Sequence, residues 1–241
     1  TNKVKQALKL SEGFYSCGCN IALLDIRYKK LQIVKESIYS KGDSSIELFK
    51  MDASIKNQHT EVLKKILKKF NSVDILINGA GINDSTPFFN IDYKKWKNVM
   101  DSQINATFFG CQVFGKHMTN NKSGSIINIS SASSGPPLSK AFAYSAAKAS
   151  IKNLTFNLAR EWAPDNVRVN ALKPGFFPTE WNIKNFINTK RKKDIFRHTP
   201  MNRFGKTSEL IGGALYLAGD SSKFVTGTEL TIDGGFSCMT I

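Results

Sequence analysis

Long apolar runs are missing from this 241-residue chain. A membrane-spanning helix needs about 20 consecutive apolar residues, so none is expected. The N-terminal segment also lacks the charged, apolar, small-residue order of a secretory signal, and a soluble, cytoplasmic protein with no membrane partner is the expectation. Cysteine is scarce, with only Cys17, Cys19, Cys111 and Cys238. They fall in stretches that read as helix, strand or tail, without paired metal-ligand spacing, which points to reduced thiols rather than a disulfide frame or a metal site. Internal repeats, linkers and low-complexity tracts are absent as well, so residues 1–241 read as a single domain. Acidic residues are few, 19 against 34 lysines and arginines, for a net charge of +15. The bases are scattered along helical stretches instead of interleaved with aromatics in a stripe, which argues for solvated helix faces and against a nucleic-acid partner. One denser run, residues 184–193 (KNFINTKRKK), would set a local positive field able to steer an anionic substrate.

What is present is alternation. Short apolar runs rich in β-branched residues, at 20–24, 45–50, 74–77, 125–129, 167–172 and 229–232, are separated by helical patterns at about 28–40, 57–70, 93–120, 142–162 and 208–218. This order predicts βαβ units and an α/β fold built on a doubly wound parallel sheet. A long irregular stretch follows residue 174 and runs to about 206. In open α/β sheets, ligands bind outside the carboxyl ends of the strands, so residues 176–206 are a candidate lid over a substrate.

One constellation carries chemistry. The strand at 125–129 runs into Ser130 and Ser131, and the helix that begins near Phe142 presents Tyr144 and Lys148 four residues apart, on one face. A free phenol, with a pKa near ~10, is a poor acid or base at neutral pH; a neighbouring ammonium would favour phenolate and lower that value. Tyr144 could then exchange a proton with an alcohol or a carbonyl, while Ser131 holds the same oxygen.

These residues resemble the short-chain dehydrogenase/reductase family at landmarks from about Asn20 to the C-terminus. The landmarks are Asn78-Gly79-Ala80-Gly81, Asn105, Ile127-Asn128-Ile129-Ser130-Ser131, Tyr144-Ser145-Ala146-Ala147-Lys148, Arg168-Val169-Asn170-Ala171, Pro174-Gly175 and Asp233-Gly234-Gly235. The resemblance implies a Rossmann-like fold and a nicotinamide-dependent oxidoreductase. Tyr144 would be the general acid/base, Ser131 the substrate-oxygen anchor, and Lys148 the residue that lowers the tyrosine pKa and binds the nicotinamide ribose. Asn105 would hold a water in the proton relay, or else only pin its helix; Ser130 is read as a plain strand end. Asn78, Ala80 and Gly81 would floor the adenine ribose, with Asp52 and Ala53 at the adenine edge. Pro174, Gly175, Phe177 and Thr179 would line the nicotinamide, Thr179 on its carboxamide. Asp25 can accept hydrogen bonds from both adenosine-ribose hydroxyls and repels a 2′-phosphate, which favours NAD(H). Arg27 could instead receive that phosphate, so NADP(H) stays as the alternative.

Segments 174–181, 198–205 and 225–241 further resemble sugar-acid and polyol oxidoreductases of the fructuronate (mannonate) reductase and gluconate 5-dehydrogenase type. A sugar acid or polyol is the implied substrate, with Arg191, Lys192 or Arg197 as carboxylate partners. Surplus apolar residues on the long helices, Phe108, Phe109, Phe114, Leu154, Phe156 and Leu158, suggest a homodimer or homotetramer.

The chain departs from the family at its start. The family opens with a strand and a glycine-rich turn whose amides cradle the pyrophosphate. Counting back from Gly18 places Thr1 to Ala7 where that turn belongs; none of its three glycines is there, and the strand before it is missing. Two readings follow. The chain is an incomplete copy of a longer enzyme, preferred because every later chemical position is in place, or it is a relative that has lost dinucleotide binding and acts as a subunit or pseudoenzyme.

Overall fold

The structure, a computed structural model, describes residues 2–38, 44–178, 183 and 187–239, with side chains from residue 7 onward. Six strands and eight α-helices alternate along the described residues: α1 (Asn2–Ser16), β1 (Ile21–Asp25), α2 (Tyr28–Ser37), β2 (Ile46–Lys50), α3 (Lys56–Phe70), β3 (Ile75–Asn78), α4 (Tyr93–Met100), α5 (Ala106–Asn120), β4 (Gly124–Ile129), α6 (Phe142–Trp162), β5 (Val167–Pro174), α7 (Thr189–Arg197), α8 (Ile211–Ala218) and β6 (Glu229–Ile232). All strand pairs are parallel, as the βαβ alternation predicts.

The strands form two sheets rather than one. β1 pairs with β2, from Ile21 opposite Ile46 to Asp25 opposite Lys50, and β3-β4-β5-β6 form a separate four-stranded sheet. Among the described residues no ladder joins β1 to β3. The two strands nevertheless share cores on both faces. Ile21 packs with Ile75 and Ile77 beneath α1 and α8, around Leu10, Phe14, Ala214 and Leu217. Ala22 and Leu24 pack with Leu76 beneath α3 and α5, around Val62, Ile66 and Phe114. The period-two alternation of strand side chains explains the division into two faces. In β4, Ile127 turns toward the first core and Ile126 toward α5 and α6, beside Met118, Val167 and Val169.

Three expectations are corrected. Asn2–Ser16 form a helix where the sequence reading assigned no element and noted only the missing glycines, and residues 2–7 are its opening turns. The helix expected over 93–120 is interrupted by a π-helical turn, Asp101–Asn105, which adds a residue to the turn and separates α4 from α5. The stretch after residue 174 is not wholly irregular, because Asn188 accepts a hydrogen bond from the Arg191 amide at 2.8 Å and starts α7. No helix among the described residues is long and apolar enough to cross a membrane, and none of their His, Cys, Asp or Glu side chains group as metal ligands.

Candidate active site

Most of the predicted site residues that the structure describes lie at or follow the carboxyl ends of the parallel strands. β4 ends at Ile129, after which Ser131 takes an extended conformation (φ −164°, ψ 156°) and caps the short turn Ala132–Ser134 by accepting from the Ser133 amide at 3.2 Å. Eight residues past that turn α6 begins, and its first turns bring Tyr144 back over the strand end. The Ser131 hydroxyl accepts from the Ser133 hydroxyl at 3.0 Å and stands close enough to the Tyr144 phenol to act on its titration. Lys148, one turn on, is buried; its Nζ lies 5.6 Å from the Tyr144 ring centroid and donates to the Ile129 carbonyl. The three predicted catalytic residues therefore meet.

Their electrostatics differ from the expectation. Burial pushes the Tyr144 phenol above its ordinary value, with the Ser131 hydrogen bond opposing it, whereas a lysine-induced lowering was expected. Burial also drops the Lys148 ammonium to about 7, because its low-polarity surroundings disfavour the charge that would have acted on the tyrosine.

Asn105 closes the π-helical turn, donating from Nδ2 to Asp101 Oδ1 at 2.8 Å. The same turn supplies Gln103, which sequence reasoning missed. Gln103 is completely buried and donates to the Ile82 carbonyl at 2.7 Å. It fixes the loop after β3: Gly81 sits at φ +139°, and a Cβ there would lie 2.2 Å from the Gln103 side chain. Asn78 turns inward, donating to Asn128 Oδ1 at 2.9 Å, while Asn128 donates to Thr155 on α6 at 2.9 Å. Asn78 therefore ties β3 to β4, and only its backbone is left to serve as a floor. Ala80 follows it, exposed, in the same loop.

At the carboxyl end of β1, Asp25 terminates the strand and is gripped by Arg27. The guanidinium donates from Nε to Oδ1 and from Nη2 to Oδ2, both at 2.9 Å, and the Arg27 amide adds 2.8 Å to Oδ1. Burial raises the carboxyl, but these hydrogen bonds and the charge outweigh it and leave the group below its ordinary value. The two residues that sequence reasoning set against each other as cofactor selectors are thus one ion pair. Asp52 accepts from the Ser54 amide and hydroxyl at 2.9 and 2.7 Å, so it caps its own turn, and the Ala53 carbonyl is held at 2.8 Å by Nε2 of buried His59.

Pro174 and Gly175 leave β5 in close contact with the C-terminal segment, and a Cβ on Gly175 would meet Asp233 Cα at 2.7 Å. Phe177 is 5% exposed and packs in the core around Leu172 and Leu210, so its ring does not line an open crevice. Thr179, Trp181 and Phe186, and residues 184–186 of the basic run, lie outside the described residues. Arg191, expected to face a substrate carboxylate, instead donates to the Ser139 hydroxyl at 3.0 Å and carbonyl at 3.3 Å, joining α7 to the loop before α6. Lys192 lies over the Phe196 ring at 5.4 Å. Ser130, read as a plain strand end, donates to Glu229 Oε1 at 2.5 Å, a partner 99 residues away that local sequence patterns do not reveal.

The comparisons with known proteins bear on the fold and the family. A family described as enoyl-(acyl carrier protein) reductase matches residues 7–237. An uncharacterized oxidoreductase of Bacillus subtilis, UxuB, is 38% identical over 240 residues, covering 91% of this chain and 86% of that protein. Among solved structures, a putative D-mannonate oxidoreductase from Haemophilus influenza with bound NAD superposes with a TM-score of 0.91 at 32% identity, covering 98% and 92% of the two chains. A gluconate 5-dehydrogenase from Burkholderia cenocepacia in complex with NADP and tartrate superposes at 0.88 with 27% identity, covering 98% and 92%. The fold and these relatives place the chain in a class of oxidoreductases acting on CH–OH groups. The chain belongs to the short-chain dehydrogenase/reductase family.

The family implies a nicotinamide dinucleotide, and the donor set fits its two riboses. Asp25 offers a carboxylate at one end, and Lys148 stands beside Tyr144 at the other. The glycine-rich turn that would cradle the pyrophosphate is not among the described residues.

Proposed function

We propose that this chain interconverts a secondary alcohol and a ketone on a sugar acid or polyol, with Tyr144 as the proton donor and acceptor. The observation that carries this reading is the meeting of Ser131, Tyr144 and Lys148 at the end of β4. A nicotinamide cofactor, when bound, supplies or removes the hydride. The residues of the chain do the rest. Ser131 presents a hydroxyl to the reacting oxygen and orients the phenol. Tyr144, held protonated at neutral pH by burial, is ready to donate to a ketone oxygen. Lys148, titrating at about 7, exchanges protons near the working pH and stands where a nicotinamide ribose would lie. Asn105 would order a water next to this set, and the backbone of Asn78, with Ala80 and Gly81, would floor the adenine ribose. Asp52 and Ala53 would border the adenine, and Pro174, Gly175, Phe177 and Thr179 would border the nicotinamide, Phe177 through its backbone.

NAD(H) is the favoured cofactor, because Asp25 ends β1 and repels a 2′-phosphate. NADP(H) is the alternative, since Arg27 can leave Asp25 to meet that phosphate. The sugar-acid reading draws support from the gluconate and mannonate oxidoreductases that this fold matches. Residues 176–206, with α7 at their centre, would cover the substrate, and we place the protein in the cytoplasm as a homodimer or homotetramer. Phe108 and Phe156, exposed on α5 and α6, are the apolar residues such an interface would cover, whereas Phe114 is spent in the core.

The test is loss of reduced-nicotinamide absorbance on mixing the chain with NADH or NADPH and a panel of keto sugar acids. Turnover that disappears in Tyr144→Phe is expected. Turnover unchanged in that variant would reject the assignment of the acid/base.

A further inference from the structure

Behind the proton-transfer set lies a carboxylate that the reading above does not use. Glu229, the first residue of β6, has a side chain only 9% exposed. Its Oε1 accepts from Ser130 at 2.5 Å and from Ser134 at 3.0 Å. Its Oε2 faces Lys152 Nζ at 3.4 Å and Lys173 Nζ at 3.8 Å. Ser130, Ser134 and Lys173 are themselves buried, and Lys152 is half-buried.

These four partners are the neighbours of the site. Ser130 immediately precedes Ser131, and alternation at the strand end sends the two side chains to opposite sides, Ser130 to Glu229 and Ser131 to the Ser133 hydroxyl at 3.0 Å, on the side where it acts on the Tyr144 phenol. Ser134 ends the turn that Ser131 caps. Lys152 follows Tyr144 and Lys148 on the same stripe of α6, at spacings of four. Lys173 precedes Pro174 and Gly175. One carboxylate therefore gathers the Ser131 turn, the helix of Tyr144 and Lys148, and the end of β5. A nearly buried charge with two hydroxyl donors and two ammonium partners is stable where it stands, while its removal strands buried donors and the buried Lys173.

We propose that Glu229 is a positioning residue of the proton-transfer site, acting through Ser130 and Ser134 to hold the Ser131 hydroxyl on the Tyr144 phenol. This inference rests on the role proposed for Tyr144, yet it can be tested without substrate or cofactor. The readout is the ultraviolet titration of the Tyr144 phenol, taken as the difference between each protein and its Tyr144→Phe counterpart.

In the otherwise unaltered chain, Ser131→Ala should raise the phenol pKa by about one unit, the equivalent of one hydrogen bond. In a Glu229→Ala background the same Ser131→Ala change should leave it unmoved, because the hydroxyl is no longer held in place. A Ser131→Ala shift of equal size in both backgrounds would overturn the proposal. Should Glu229→Ala fail to fold, the double variant Ser130→Ala/Ser134→Ala removes the two hydroxyl donors and leaves the carboxylate with its lysines. The same expected and contradicting results then apply. A chain that turns over no sugar acid would count against the proposed substrate and leave this titration fully readable.

Discussion

The two sheets make an instructive contrast. In the four-stranded sheet, β4 and β5 are buried along most of their length, every strand is laddered to a neighbour, and a polar chain from Asn78 through Asn128 to Thr155 stitches strands to the catalytic helix. In the two-stranded sheet, β1 and β2 are mostly half-buried, and side-chain packing alone connects them to β3. The proposed proton chemistry would sit at the end of the first region, and Asp25 and Asp52, proposed to face the adenosine, sit at the end of the second. The difference teaches that packing and the proposed roles are divided: the more deeply buried half would set the geometry of the reaction, and the other would adjust what carries the hydride.

This division can be broken by mutation. The largest effect should come from Tyr144→Phe, which is expected to lower kcat by about 10²–10⁴-fold while leaving cofactor affinity within about twofold. Parallel kinetics and cofactor titration would check it, and an equal loss in both would blur the boundary between the regions.

Core truncations should rank next. Ile127→Ala, at a fully buried position in β4, should cost about 2–5 kcal/mol. Ile21→Ala, at a half-buried position in β1, should cost clearly less. Urea unfolding of both variants decides, and equal losses would show that the two sheets unfold as one uniform core.

Lys148 gives a signature that depends on pH. Its amine titrates at about 7 when folded, against 10.5 ordinarily, so between those values the unfolded chain binds a proton that the native one does not. Native stability should therefore rise with pH across that window. Raising the pH from about 7 to about 9 should stabilise the chain by about 2 kcal/mol relative to Lys148→Met, which lacks this slope. Parallel slopes for the two proteins would place Lys148 in a wetter setting.

The smallest change should be one of preference. Asp25→Ala removes the carboxylate that repels a 2′-phosphate and one of the groups that Arg27 holds. The ratio of NADP(H) to NAD(H) affinity should rise about tenfold, equivalent to about 1.4 kcal/mol. A ratio that stays put would move the selector away from β1.

How much of this was legible in the sequence follows from the range of the interactions. Ser131, Tyr144 and Lys148 were readable because a strand end and an i, i+4 helical pair are local patterns, and the residues around them match a family. The start and end of α6 were readable for the same reason. The π-helical turn was not, since a single added residue within a helix barely disturbs a 3.6-residue period, and Gln103 went unseen with it. Helix α1 went unread because the first residues were weighed only for the glycine turn and strand they lack. Asp25 and Arg27 were both noticed, but as rivals, because a sequence shows spacing and not where a guanidinium turns. Glu229 was invisible because its partners come from segments that the fold alone brings together. The direction of the Tyr144 pKa was misjudged because burial, a property of the whole fold, raises the phenol and also disfavours the lysine charge that was expected to lower it.

The central claim, that this chain is a nicotinamide-dependent oxidoreductase, is tested most directly by calorimetric titration of NAD(H) into the purified chain. Saturable one-to-one binding, weakened by Asp25→Ala and unaltered by Tyr144→Phe, is the predicted result. No binding at millimolar cofactor would contradict it.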